Sequence, residues 1–147
     1  MELLARAFIP KKIESQNKFA FSGCKTFYSK KHKRNMQINF RYIAYRDSWY
    51  KALLLLGQPK SKCTKNEKRL IEIISVRKRR LDDGNLRGGA KPIPDGLTKL
   101  GWIYDDSDLY IKSSYSQVTC SQSELYDKEM TIIKIYSLTE QEYKDYK

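Results

Sequence analysis

The stretch LIEIISVRKRRLDDGN, residues 70–85, contains the strongest strand signal in the chain. Its first half is rich in β-branched side chains, which are enriched in strands. Basic residues 77–80 follow directly, and the adjacent acids Asp82 and Asp83 come after them. The sequence therefore predicts a central strand that ends in a basic rim beside a pair of carboxylates.

Helical patterns lie on both sides of this strand. Between residues 40 and 56, aromatic and aliphatic side chains recur at three- and four-residue spacing, and Gly57 supplies the stop. The start of this helix stays open, because residues 37–42 also alternate as a strand does. After the central strand, two prolines fit only the first turn of a helix, which predicts a second helix over residues 92–100.

The remaining elements complete a small sheet. Further strands are predicted over residues 2–9, 109–118 and 130–136. Thr139 and Glu142 match a capping box, which predicts a short C-terminal helix. We expect a basic loop before the first helix and a glycine-containing acidic loop after the central strand. The whole pattern predicts a single compact α+β domain, residues 1–147, with one mixed sheet of about four strands, two main helices and the short C-terminal helix.

The chain carries a formal net charge of +12, concentrated in its N-terminal part. Residues 1–60 hold thirteen Lys and Arg against three acids, a balance of +10. This balance favours a polyanionic partner, usually nucleic acid, although a lysine-rich composition that only maintains solubility is an open alternative. The candidate nucleic-acid-binding residues are Lys30, Lys31, Lys33, Arg34, Arg77, Lys78, Arg79, Arg80 and Arg87.

Composition argues against several other protein classes. The longest apolar run is far shorter than the roughly eighteen residues that a membrane span needs. The N-terminus has neither the basic start nor the small-residue cleavage site of a secretory signal. Cys24, Cys63 and Cys120 share no close spacing, which predicts free cysteines instead of disulfides or a zinc site. We therefore expect a cytoplasmic protein with no membrane partner.

Six aspartates lie within residues 80–108, and four of them form the pairs Asp82–Asp83 and Asp105–Asp106. Clustered carboxylates repel one another unless a cation neutralises them. Oxygen ligands without His or Cys suit Mg²⁺ or Mn²⁺, and such ions on a basic surface promote phosphodiester hydrolysis. We expect the two pairs to be neighbours if the strands beside them pair. The pattern favours a metal-dependent nuclease, and turns that carry solvated acids are the open alternative.

Ten residues of this region follow one another in a distinctive order: Asn85, Leu86, Lys91, Asp95, Leu97, Gly101, Ile103, Asp105, Asp106 and Ser107. KPIPDGL, residues 91–97, has the form Lys-x-x-x-Asp-x-Leu, and GWIYDDS, residues 101–107, contains Gly-x-x-x-Asp-Asp. This pattern resembles the signature of the RusA-type Holliday-junction resolvases of phages and prophages. In that signature a strand with a basic end and an Asp-x-Asp-Asn-Leu segment come first. The resemblance covers about residues 70–118.

The resemblance implies a homodimer with a mixed α+β fold that cuts four-way DNA junctions symmetrically with Mg²⁺. It also implies a protein of the bacterial cytoplasm that a phage or prophage encodes. The implied catalytic residues are Asp82, Asp106, Lys91 and Asn85. Lys91 would contact the scissile phosphate, and Asn85 would orient the site. The candidate metal ligands are Asp82, Asp83, Asp105 and Asp106.

One position departs from the family pattern. Gly84 stands where the family has its second acid, and extra residues, about 87–90, precede Lys91. Asp83 could serve as a ligand if the loop is shifted, because Gly84 gives the backbone freedom to do so. A site with one acid fewer binds metal weakly or not at all, so a non-catalytic junction-binding relative is the second hypothesis. The third is a basic RNA-associated or structural protein whose aspartates only form turns.

Overall fold

The computed structural model describes residues 1–19, 24–120 and 128–147. Its strands are β1 (Glu2–Ile9), β2 (Cys24–Ser29), β3 (Arg34–Asn39), β4 (Lys68–Arg77), β5 (Ile111–Thr119) and β6 (Met130–Leu138). Its helices are α1 (Phe40–Ala52), α2 (Asp83–Gly89), α3 (Pro92–Leu100) and α4 (Glu140–Asp145), with 3₁₀ turns at Gln16–Phe19 and Leu53–Leu56. The predicted α+β class is confirmed. None of the described helices is both long and apolar enough to cross a bilayer.

The predicted central strand lies inside a four-stranded mixed sheet with the order β1-β6-β4-β5. β4 pairs in parallel with β5 and antiparallel with β6, and β1 forms the other edge by pairing antiparallel with β6. Most side chains of β4 are buried, on both faces of the sheet, which explains its near-continuous apolar sequence. The expected mixed sheet of four strands is therefore present.

One apolar core joins the sheet to the helices. The completely buried side chains include Trp49, Leu53, Ile71, Ile73, Ile93, Leu97, Ile133 and Ile135. They come from α1, the turn after it, α3, β4 and β6, and they belong to a single cluster. Full burial of one such side chain stabilises a fold by about 1.5–3 kcal/mol. Packing against the sheet therefore holds α1 and α3 in place.

The helix boundaries follow from local capping. The Asn39 side chain accepts a hydrogen bond from the Tyr42 N–H at 3.0 Å, so α1 begins at Phe40 and the strand alternation ends there. Gly57, with a φ of 75°, ends the 3₁₀ turn after α1 as predicted. Gly101 ends α3 in the left-handed conformation, with a φ of 86°. The predicted capping box at the start of α4 is also present.

The basic loop that we expected before α1 is instead largely a hairpin formed by β2 and β3. The two strands pair antiparallel from Cys24 opposite Asn39 to Ser29 opposite Arg34. Lys33, in the turn, adopts a φ of 52°. The sequence of this segment mixes basic, polar and aromatic residues, so neither strand shows the clean alternation of a half-buried strand.

α2 occupies the segment that we expected to be a glycine-containing loop. It contains Gly84, Gly88 and Gly89, and each glycine is unfavourable in a helix interior. Packing overrides this preference, because Leu86 is buried in the core and Gly89 lies directly against the chain after β1. A Cβ at Gly89 would lie 1.7 Å from the carbonyl oxygen of Glu14, so this close approach requires glycine.

The hydroxyl of Tyr45 joins three segments that are distant in sequence. It accepts a hydrogen bond from the Glu14 N–H at 3.1 Å and donates one to the Gly89 carbonyl at 2.6 Å. Tyr45 lies on α1 with 8% of its surface exposed, and burial is the main cause that raises the pKa of this phenol to about 12. One side chain thus connects α1, the end of α2 and the segment after β1.

Tyr45→Phe removes this hydroxyl and keeps the ring. The Glu14 N–H and the Gly89 carbonyl then lose their partner, so we expect the free energy of unfolding to fall by about 1–3 kcal/mol. Urea denaturation followed by circular dichroism measures the change. Tyr104→Phe, at a tyrosine that is 45% exposed, is the matched control and should leave the midpoint unchanged. Equal midpoints for both variants would contradict the role given to Tyr45.

Alkaline pH tests the same hydroxyl independently. The pKa of Tyr45 rises from 10.0 to about 12 on folding, so the unfolded chain loses this proton first as the pH increases. The stability that the neutral phenol contributes is complete below pH 10 and is lost between pH 10 and 12, by about 2–3 kcal/mol. The difference in unfolding free energy between the wild type and Tyr45→Phe should therefore shrink across this window. A difference that does not change with pH would argue against the burial of a neutral phenol.

Candidate functional site

The first acidic pair lies where the chain leaves the central strand and enters α2. Asp82 occupies the position before α2, and Asp83 is the first residue of the helix. Both carboxylates are exposed. The Asn85 amide nitrogen lies 3.5 Å from Oδ2 of Asp82, and Arg87 Nε lies 3.0 Å from Oδ2 of Asp83. The short helix therefore gives each acid its own polar neighbour one turn away.

The side chain of Gln117 fixes the backbone just before this pair. Its amide oxygen accepts from the Leu81 N–H at 2.8 Å, and its amide nitrogen donates to the Leu81 carbonyl at 2.9 Å. Gln117 lies on β5, so the sheet itself positions the residue that precedes Asp82. Sequence reasoning missed this contact, because nothing local distinguishes Gln117 from the other polar residues of its strand.

The second acidic pair lies in the turns between α3 and β5. Asp105 is half-buried and Asp106 is exposed. The Asp106 carboxylate is close enough to Tyr115, on β5, to raise the pKa of that phenol, although burial of the ring is the larger cause. Asp106 therefore lies within electrostatic range of Tyr115, in the middle of β5.

Arg87 and Tyr115 connect the two acidic pairs. The guanidinium carbon of Arg87 lies 4.5 Å from the centroid of the Tyr115 ring, while its Nε contacts Asp83. The positive charge of Arg87 lowers the pKa of Tyr115, opposite in sign to the effect of Asp106. An ion pair and a cation–π contact therefore link Asp83 to Tyr115 through Arg87, and the charge of Asp106 acts on the same phenol. The four-residue spacing of Asp83 and Arg87 on a helix predicts their ion pair, but no sequence signal marks Tyr115.

The strands beside the two acidic pairs do pair, as the expected approach of the four carboxylates requires. β4 and β5 pair in parallel, so the start of β5 lies beside the start of β4. Within residues 1–19, 24–120 and 128–147, no three His, Cys, Asp or Glu side chains form a group that could hold a metal ion. Asp83 is instead neutralised by Arg87. The carboxylates of both pairs have the oxygen donors that Mg²⁺ prefers.

Lys91 lies between the two pairs along the chain. It immediately precedes α3, and its side chain is 62% exposed. Its Nζ lies 3.9 Å from Oδ2 of Asp95, one turn further along the helix. This ion pair leaves most of the ammonium accessible to an anion.

Gly84 leaves open space beside the first pair. A Cβ built on Gly84 meets no atom within 4 Å, and its backbone conformation does not demand glycine. The position at which the chain departs from the resolvase pattern can therefore accept a side chain without a steric clash.

The expected nucleic-acid-binding residues form two exposed groups. The turn between β2 and β3 carries Lys30, Lys31 and Lys33. The segment between β4 and α2 carries Lys78, Arg79 and Arg80. Arg34 belongs to β3, and its side chain lies outside the part of the chain that the structure describes.

Arg77 does not occupy the surface position that we expected. It is 6% exposed, and its guanidinium donates to the Ile13 carbonyl and, at 3.0 Å, to the Arg79 carbonyl. Backbone carbonyls of adjacent segments satisfy the buried charge, which makes this position possible. Arg77 thus joins the end of β4 to the segment after β1.

Comparison with known proteins assigns no family. No protein-family model matches the chain, and no curated protein matches it. The resemblance to RusA-type resolvases therefore rests on the ordered motif within residues 70–118.

Proposed function

We propose that this protein is a Mg²⁺-dependent, structure-specific endonuclease that resolves four-way DNA junctions by symmetric phosphodiester cleavage. The observation that carries the proposal is that Arg87, the ion-pair partner of Asp83, packs on Tyr115, and that the charge of Asp106 acts on the same tyrosine. Exposed basic residues flank the first pair, as a DNA-cutting site needs. In this proposal the cell is bacterial, and a phage or prophage encodes the protein.

The side chains of the site have distinct roles in the proposal. Asp82 and Asp106 are the principal acids, with Asp83 and Asp105 beside them. When bound, Mg²⁺, or Mn²⁺ in its place, supplies a charge that stabilises the leaving oxygen and activates water. Lys91 presents its exposed ammonium to the scissile phosphate. Asn85 donates toward Asp82 and thereby restricts the orientation of that carboxylate.

The two exposed basic groups are proposed to hold the DNA arms. The group between β4 and α2, Lys78 to Arg80, lies next to the first acidic pair and would bind the phosphates nearest the cut. The group on the hairpin, Lys30 to Lys33, would bind phosphates further along one arm. Each phosphate contact contributes salt-dependent affinity without sequence preference. Two symmetric cuts require two copies of the site, so the proposal includes a homodimer.

A second candidate function is favoured by one specific observation. Gly84 removes an acid from the motif, and the described residues hold no group of three potential metal ligands. A relative that kept the basic surface and lost the chemistry would bind junctions without Mg²⁺ and would not cut them. This candidate uses the same DNA-binding residues, so only cleavage separates it from the nuclease.

A labelled, mobile four-way junction tests the nuclease directly. With Mg²⁺ or Mn²⁺ we expect paired, symmetric nicks, and no nicks in linear duplex or without metal. Asp106→Asn removes the charge at nearly constant size and should slow cleavage by about 100-fold or more. Asp108→Asn, at an exposed acid two positions further on, is the matched control and should cut at the wild-type rate.

The other outcomes of this experiment are equally informative. Tight junction binding without cutting under any metal would favour the non-catalytic candidate. Equal affinity for junction and duplex, governed by salt alone, would overturn both candidates in favour of a general nucleic-acid-binding protein.

Gly84→Asp tests whether the departure from the family pattern limits metal binding. The new side chain meets no atom within 4 Å of its Cβ, so the fold should tolerate it. A further carboxylate should raise Mn²⁺ affinity on the order of tenfold, equivalent to about 1.4 kcal/mol. Titration followed by electron paramagnetic resonance measures free Mn²⁺. Gly84→Asn, nearly equal in size and uncharged, is the control, and equal affinities for the two variants would show that position 84 does not face the metal.

A further inference from the structure

A cavity of about 390 Å³ lies beside Lys91 and is not used by the acidic pairs. Three parts of the fold enclose it: the 3₁₀ turn after β1, the start of α1, and the junction of α2 with α3. The lining residues are Gln16, Phe19, Asn39, Tyr42, Gly88 and Lys91. Its volume falls within the range of about 300–1,000 Å³ that is typical of small-molecule sites.

Two aromatic rings form one corner of this cavity. The ring centroids of Phe19 and Tyr42 are 5.8 Å apart, with an angle of 78° between the planes. Phe19 also packs on Tyr45, at 4.7 Å between centroids, and Tyr45 is the residue held by the Glu14 and Gly89 hydrogen bonds. The rings therefore rest on a rigid part of the core. Because their planes are nearly perpendicular, a nucleobase can stack on the face of only one of the two rings.

Polar groups line the rest of the cavity. The Asn39 side chain accepts from the Tyr42 N–H and donates to the Phe19 carbonyl. The oxygen and the nitrogen of this side-chain amide each retain one further hydrogen-bonding position. The Lys91 ammonium stands at one side, and it is the group proposed above to bind the scissile phosphate. Aromatic faces, an amide and a nearby cation together match a base, its polar edge and its phosphate.

The part of the cavity wall that α2 contributes has a glycine, Gly88, and therefore no side chain. A Cβ on Gly88 would lie 2.2 Å from Oε1 of Gln16, so glycine allows the Gln16 side chain to lie across the end of α2. This arrangement brings a second side-chain amide, that of Gln16, to the cavity lining.

We propose that this cavity receives one unstacked nucleobase of the DNA, next to the phosphate that Lys91 binds. The inference rests on the proposed function and adds a source of its selectivity. Removing a base from a stack is unfavourable, and it is least costly where bases are already unpaired, as at a branch point. Stacking on an aromatic side chain offsets part of that cost. Binding of a base in the cavity would therefore increase the affinity for branched DNA and not for continuous duplex.

Abasic junctions test the inference without any cleavage. Four-way junctions that lack a single base, scanned through the positions around the crossover, are titrated with the protein in EDTA. We expect one position per symmetric strand at which removal of the base weakens wild-type binding by about tenfold. Tyr42→Ala should weaken binding to the intact junction by a similar factor and should show no further loss with that abasic junction. Tyr42→Phe, which keeps the ring, should behave as the wild type.

The results separate this inference from the function on which it rests. If the protein prefers junction over duplex but no abasic position weakens binding, the cavity proposal is overturned and the proposed function stands. The same holds if the losses in affinity caused by the abasic site and by Tyr42→Ala simply add. Wild-type protein that does not prefer the junction overturns both. Tyr104→Ala, at an exposed tyrosine outside the cavity lining, controls for general loss of an aromatic ring. The abasic scan with wild-type protein stays decisive even if Tyr42→Ala is poorly folded.

Discussion

The hydrogen bonds of the Tyr45 hydroxyl are the constraint on which the part of the molecule that carries the first acidic pair depends. They join α1 to the end of α2 and to the segment after β1, and the contact between those two segments is so close that only glycine fits at position 89. The first acidic pair lies at the other end of the same short helix. The position of this acidic pair is therefore set by packing in the core, at the opposite end of α2.

Two polar side chains, the buried Arg77 and the half-buried Gln117, support the same region from the other side. Arg77 bonds the end of β4 to the Ile13 carbonyl, and Gln117 bonds β5 to the Leu81 backbone. Both side chains use backbone carbonyls or N–H groups as partners, and such bonds lose their geometry if either strand shifts. The entry to α2 is thus tied to two strands of the sheet, which gives exposed acids a rigid base.

The sequence predicted the elements whose local signals agree with their packing. β4 has a long β-branched run, and α3 has prolines at its start and a left-handed glycine at its end. Prediction from the sequence failed where tertiary contacts oppose the local conformational preference. Three glycines concealed α2, and the charge of Arg77 suggested a surface position although nearby carbonyls bury it. For the site, the acids were visible in the sequence, but the parallel pairing of the strands beside them and the contact of Tyr115 with Arg87 were not.

The parallel pairing of β4 with β5 has a consequence for how this protein can change. Two adjacent parallel strands need a crossover, and every residue of the resolvase-like motif after the basic rim lies in that one connection. The register from Arg69 opposite Ile111 to Arg77 opposite Thr119 depends on the strands alone. Changes in the length of this crossover can therefore move one acid relative to another while the sheet keeps its alignment. Over evolutionary time, the chemistry of such a protein can diverge faster than its architecture.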